Sequence, residues 1–217
     1  MLQIIIPVGF TVVGYFIFRG IKKKTKGKKL IVLGKTGTGK SSLVQAFAEG
    51  TIPKGHVNLA GVRTFVPKIN AKELGLELSE EPIEDFPGVN EFRKIWQEKL
   101  PEKDLIIYLF RADHLLDNEK NGKRIRADIM SDIPHILAKK KRGAFFCIVG
   151  THLDLLHNFT FGKYEDHRSF EEHKNVRDLL SLAETSYFCA GKLNEEKLAK
   201  DLVRSIVCYI DNHYSDK

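Results

Sequence analysis

Along residues 29–213, short apolar runs alternate with stretches in which apolar positions recur every three or four residues. The runs at 29–33, 64–69, 80–85, 105–111, 144–150 and 186–189 have the length and composition of strands. Helical patterns lie between most of them, at 41–49, 92–99, 123–140, 170–183 and 195–212. The last is the clearest, because Leu198, Leu202, Ile206 and Ile210 fall four apart and share one face. Strands alternating with helices predict an α/β fold, a mostly parallel sheet with helices on both faces. There is no internal repeat, and the one low-complexity tract is a run of lysines before residue 30.

The amino-terminal pattern is of another kind. Residues 2–18, LQIIIPVGFTVVGYFIF, hold no charged side chain over about 17 positions, roughly 25 Å of helix and just enough to cross a bilayer. Arg19, Lys22, Lys23, Lys24, Lys26, Lys28 and Lys29 follow it with no acid among them. A cleavable leader carries its cations before the apolar stretch and small residues at the cleavage site, and this segment has neither. The expected organisation is a single-pass membrane-anchoring helix at 1–18, a basic linker at 19–28 and one folded domain at 29–217. The cations after the span put that domain on the cytoplasmic side of the membrane. Pro7, Gly9 and Gly14 make the span a marginal one, and a buried or interfacial helix is the alternative.

That linker also accounts for the charge. The formal net charge is +7, and the seven cations just named supply all of it, leaving the remainder near neutral. A nucleic-acid face on the domain loses its main support, and no nucleic-acid partner is expected. With 217 residues and 42% hydrophobic content, the chain can build one full-sized core and hardly two. Cys147, Cys189 and Cys208 are odd in number, far apart and set in apolar runs, as free thiols of a reducing compartment would be. His157, His167 and His173 match no metal-ligand spacing and are expected in a solvated loop.

Chemistry enters at the first strand-to-helix junction. Gly34, Lys35, Thr36, Gly37, Thr38, Gly39, Lys40 and Ser41 fit G-x-x-x-x-G-K-[ST], with Ser42 next, after a predicted strand and before a predicted helix. Glycines let successive backbone N–H groups turn inward around phosphates, and the helix start adds its positive dipole end. Lys40 would reach the β- and γ-phosphates, and Ser41 would give its hydroxyl to Mg²⁺. In a sheet of this type ligands gather at the carboxyl ends of the strands. Two further motifs stand there: Asp85-Phe86-Pro87-Gly88 after the third strand and Thr151-His152-Leu153-Asp154 after the fifth.

With these three motifs in place the chain resembles a GTPase of the translation-factor-related P-loop class, over about residues 29–213. The resemblance implies GTP or GDP with Mg²⁺. It gives Asp85 the metal through water, Gly88 the γ-phosphate through its amide, and Asp154 the guanine N1–H and amino group. Thr151 and His152 would frame the base, and Cys189 and Ala190, ahead of Gly191 and Lys192, would meet the guanine O6. A threonine that closes on Mg²⁺ and γ-phosphate is also implied. Thr64 before the second strand is favoured over Thr51, so that Lys40, Thr64 and Gly88 carry catalysis and Ser41, Thr64 and Asp85 surround the metal.

The chain departs from the class in three ways. His152 stands where a lysine usually stacks on the base, and THLD is similar to the version in Roc domains. The loop GKTGTGKSS resembles that of septins, immunity-associated GTPases and chloroplast import receptors, which implies a homodimer through the nucleotide domain. Val89 follows Gly88, where many members place a glutamine that orients the attacking water. Slow turnover is therefore expected, with the missing group supplied by Asn90, Arg63, a second subunit or an activator. Thr36 would crowd an arginine entering from such an activator. The expected function is a membrane-anchored GTPase switch with an effector of its own. A GTP-binding scaffold that hardly turns over and an ATP-using P-loop enzyme are the alternatives.

Overall fold

Six of the predicted runs become six strands. The computed structural model describes residues 25–53, 62–65, 78–79, 81, 83–88, 90–117, 120–156, 170–183 and 187–215. The strands are β1 (Leu30–Gly34), β2 (Arg63–Phe65), β3 (Ile83–Asp85), β4 (Leu105–Arg111), β5 (Phe145–Thr151) and β6 (Tyr187–Ala190). They form one sheet in the order β2-β3-β1-β4-β5-β6. Every neighbour pair is parallel except β2 with β3, which is antiparallel.

The side-chain period of two sorts the strands into two cores. Ile31, Ile106 and Phe146 stand in register across β1, β4 and β5, and one residue along stand Val32, Ile107 and Cys147. The first row faces α2 (Arg93–Lys99), α3 (Ala112–Leu116), α4 (Lys120–Lys139) and α5 (Lys174–Leu182) through Trp96, Leu115, Ile133 and Leu179. The second row faces α1 (Lys40–Glu49) and α6 (Glu196–Ser215) through Leu43, Phe47, Val203 and Ile206. Because both faces are covered, the central strands read as unbroken apolar runs rather than alternating ones.

Boundaries moved where local contacts outweighed pattern. The helix expected to start at 123 begins at Lys120, because Gly122 lets the helix lie against Asp117: a Cβ there would come within 2.4 Å of the Asp117 carbonyl oxygen. The helix expected over 170–183 is broken at His173, whose Nδ1 accepts from the Asn175 amide at 3.3 Å and caps α5. So one of the three histidines has a local capping role, while His157 and His167 lie outside the described residues. α3 was not anticipated, being too short to show a period. The apolar segment 2–18 and most of the linker also lie outside the described residues. Among the described residues no helix is long and apolar enough to cross a membrane.

Candidate functional site

β1 runs out at Gly34 and the chain turns into α1 through the glycine-rich loop. Gly39 takes φ 84°, and the Leu193 side chain would lie 2.7 Å from any Cβ placed there, so only glycine fits. The Lys35 carbonyl accepts from Thr38 Oγ1 at 2.9 Å and from Lys40 Nζ at 2.8 Å, which fixes the loop's curvature. No side chain caps the α1 amino terminus. Its first N–H groups therefore suit an anion.

Lys40 is buried at the centre of this loop. Burial pulls its pKa down to about 8, and the nearby Asp85 carboxylate opposes that only in part. Bound phosphates would hold the ammonium charged, so above pH 8 binding must take up a proton. Nucleotide affinity should fall by up to about tenfold per pH unit from pH 8 toward the ordinary lysine value of 10.5, and lose that dependence in Lys40→Met. Without nucleotide the sign reverses: the unfolded chain holds this proton to higher pH than the folded one, so fold stability gains across the same window. Fluorescent-nucleotide titrations and thermal melts across that range read both.

Asp85 ends β3, fully buried, with its backbone opposite Val32 of β1. A hydroxyl from Ser41 and a carboxylate from Asp85 are hard oxygen donors of the kind Mg²⁺ prefers. Gly88 presses on the phosphate loop so closely that a Cβ would fall 2.0 Å from the Thr36 nitrogen. The DFPG turn and the phosphate loop thus meet backbone to backbone, with the Thr36 side chain exposed beside them. Thr64 does not join this group. On β2 it pairs with Glu84 of β3, and paired residues share a face, so Thr64 lies with Glu84 and its partners Lys99 and Lys103, opposite to Asp85. Thr51 lies beyond the far end of α1, where its hydroxyl accepts from Gln45 Nε2 at 3.1 Å. Among the described contacts, Thr64 meets Glu84 and Thr51 meets Gln45. Val89 lies outside the described residues, and the Arg63 backbone stands opposite Asp85.

The other end of the site is tied to the first by one hydroxyl. Thr151, fully buried at the end of β5, lies 3.0 Å from the Thr38 carbonyl oxygen and 3.1 Å from that of Phe110. The hydroxyl has one proton to give, so the His152 Nδ1 at 2.9 Å donates to it and Nε2 is left as an acceptor. His152 takes φ 58° and is the one non-glycine residue in the left-handed region among those described. Burial and the Arg111 guanidinium pull its pKa below the ordinary value, against Asp113 and Asp154, so the ring is neutral near pH 7. Asp154 follows on an exposed 3-10 turn, Leu153–Leu155, anchored by buried Leu153. Beside it the Gly191 amide donates to the Gly150 carbonyl at 2.9 Å, which draws Cys189 and Ala190 to the same edge. Thr151→Ala should cost about 1–3 kcal/mol of nucleotide affinity by leaving the tie unmade, measured by the same displacement titration.

The structure thus brings the phosphate loop, Asp85, Gly88, Thr151, His152, Asp154, Cys189 and Ala190 to one end of the sheet, strung along the carboxyl ends of β1, β3, β5 and β6. The Ras family model matches residues 29–198, a span that opens just before β1 and includes every one of these residues. The chain belongs to the Ras family. As a Ras-family domain it is a P-loop GTPase of the GTP-binding switch type. No curated protein matches it. The narrower likenesses of its loop to septins and of THLD to Roc domains are no part of that match. Two residues of this Ras-family site lie outside its motifs: Leu193, which closes over Gly39, and Arg111, whose charge acts on His152. Their signals were weak, an isolated leucine in a polar loop and a lone cation ending an apolar strand.

Proposed function

We propose that this Ras-family protein is a membrane-anchored switch that binds GTP and GDP with Mg²⁺ and hydrolyses GTP slowly. The observation that carries the reading is the Thr151 hydroxyl on the Thr38 carbonyl, which joins a phosphate-type loop to the loop that bears the Asp154 carboxylate. Lys40 supplies positive charge to the phosphates, the uncapped α1 amides cradle them, and the Gly88 amide stands at their outer end. Ser41 and Asp85 would hold the metal, which when bound neutralises charge on the phosphate oxygens. His152 offers a neutral ring face to the base and Asp154 accepts its two donors. In displacement titrations of a fluorescent guanine nucleotide, GTP and GDP should compete and ATP should not, and the affinity should drop when Mg²⁺ is chelated. Equal competition by ATP would refute the guanine assignment.

Slow turnover follows from Val89, whose side chain cannot hydrogen-bond a water. Phosphate release should be slow for the full-length chain alone; a rate typical of an activator-stimulated GTPase would overturn this, and no detectable release under any condition would favour the scaffold reading. The anchor reading rests on the charge-free stretch 2–18 and the cations after it. Full-length chain should float with liposomes in a density gradient through alkaline carbonate washing, and removal of residues 1–18 should release it. A dimer across the nucleotide is supported by the septin-like loop alone, and sedimentation with a non-hydrolysable GTP analogue tests it.

A further inference from the structure

The basic linker enters the domain at the end of the sheet opposite the nucleotide loops. Leu30, Leu105 and Phe145 open β1, β4 and β5 side by side, with residues 25–29 and the turn at 140–144 just ahead of them. One carboxylate ties those two segments together. Asp104 Oδ1 lies 3.0 Å from Lys141 Nζ and 3.7 Å from Lys28 Nζ, while Oδ2 accepts from the Lys29 amide at 3.2 Å. The end of α6 holds the turn in place: His213 Nε2 donates to the Gly143 carbonyl at 3.0 Å, and the Tyr214 hydroxyl donates to the Asp104 carbonyl at 3.2 Å. Cations outnumber acids here. Lys26, Lys139, Lys141 and Arg142 are exposed, and among the described residues no acid pairs with Lys26, Lys139 or Arg142. Against them stand Asp104, which already faces two lysines, Glu81, which Lys29 meets at 2.7 Å, and exposed Glu102.

Charge alone names no partner, but the connectivity of the chain does. This step rests on the anchor reading of residues 2–18. From Phe18 to Thr25 the chain takes seven steps, at most about 25 Å when fully extended. The amino end of the sheet is therefore held within that reach of the bilayer, and β4 carries the nucleotide loops about 20 Å beyond it. Anionic headgroups of the cytoplasmic leaflet are the complementary charge inside that reach. We infer that this end of the domain docks on anionic lipid headgroups through Lys139, Lys141 and Arg142, beside the linker. The nucleotide site then faces away from the membrane, open to soluble partners.

The test places the full-length chain, labelled at alanine methyls, in nanodiscs that carry a gadolinium-chelating lipid. The discs are of phosphatidylcholine alone or with phosphatidylserine. Ala138, exposed beside Lys139 near the end of α4, should broaden strongly in the serine-lipid discs, and Ala190 at the nucleotide end should not. Lys141→Glu combined with Arg142→Glu should lower the Ala138 broadening several-fold, and so should exchanging serine lipid for choline lipid. Unchanged Ala190 shifts report that the double variant keeps the fold. The proposal fails if Ala190 broadens as much as Ala138, or if the charge reversal changes nothing. It fails too if lipid charge makes no difference, which would leave the surface to an acidic protein. A chain that stays outside the discs counts against the anchor reading instead. Docking of that free chain on phosphatidylserine vesicles is then read by the same two methyls and the same reversal, which leaves residues 1–29 intact.

Discussion

Lys40→Ala should weaken GTP and GDP binding by roughly a thousandfold, about 4 kcal/mol, and leave the fold standing. The size of the loss follows from where the ammonium is held. It is buried, it rests 2.8 Å from the Lys35 carbonyl, and its pKa has already been pulled down to about 8, so the free protein keeps a poorly solvated cation poised for an anion. Phosphate oxygens that arrive in that setting meet a charge unscreened by water. Alanine leaves them with backbone amides alone. The same burial means that nucleotide-free Lys40→Ala should melt no lower than the parent for reasons of charge, since an isolated buried cation is itself a cost. Binding within tenfold of the parent would show that the amides of α1 do most of the work.

Asp154→Asn should change which base is accepted, trading guanine for xanthine by about a thousandfold in the ratio of affinities. The carboxylate accepts from two donors at once; an amide accepts from one and presents a donor to the other, which sets two donors against each other. Xanthine, with a carbonyl where guanine has its amino group, restores the match. Asp154 is exposed and sits on a turn anchored by Leu153, so the exchange touches no core contact and the fold is unaffected. GTP and XTP competed against one fluorescent nucleotide would read the ratio directly. An unchanged ratio would remove Asp154 from the base and with it the reading of THLD.

How much of this was visible beforehand depends on the range over which each residue acts. β1, β4 and β5 are apolar on both faces, and such runs announce themselves in sequence because burial on both sides demands it. The phosphate loop was legible because its glycines and Lys40 answer to a local geometry that a few consecutive residues define. α3 was not, since five residues carry no period, and the break at His173 was missed because a cap depends on a single side chain reaching two residues along. Thr64 shows the limit on function. Its place at the start of the second predicted strand fitted the class pattern, but the ladder pairing with Glu84 decides which face it takes, and that register is set by β3, a separate stretch of chain. Leu193 and Arg111 act across the fold on partners far away in sequence, and nothing near them in the chain gives that away.

The bond between Thr151 and the Thr38 carbonyl spans 113 positions of chain, and the cover that Leu193 gives Gly39 spans more. During synthesis the amino-terminal half emerges with its phosphate loop complete as a sequence yet without the strand that braces it. Loop closures of this length are slow steps in assembly. Nucleotide capture should thus come late in the life of each molecule, set by the arrival of β5 and β6. A ribosome-bound chain halted before residue 151 should not retain GTP, and one released past residue 193 should, which makes bound nucleotide a mark of finished biosynthesis.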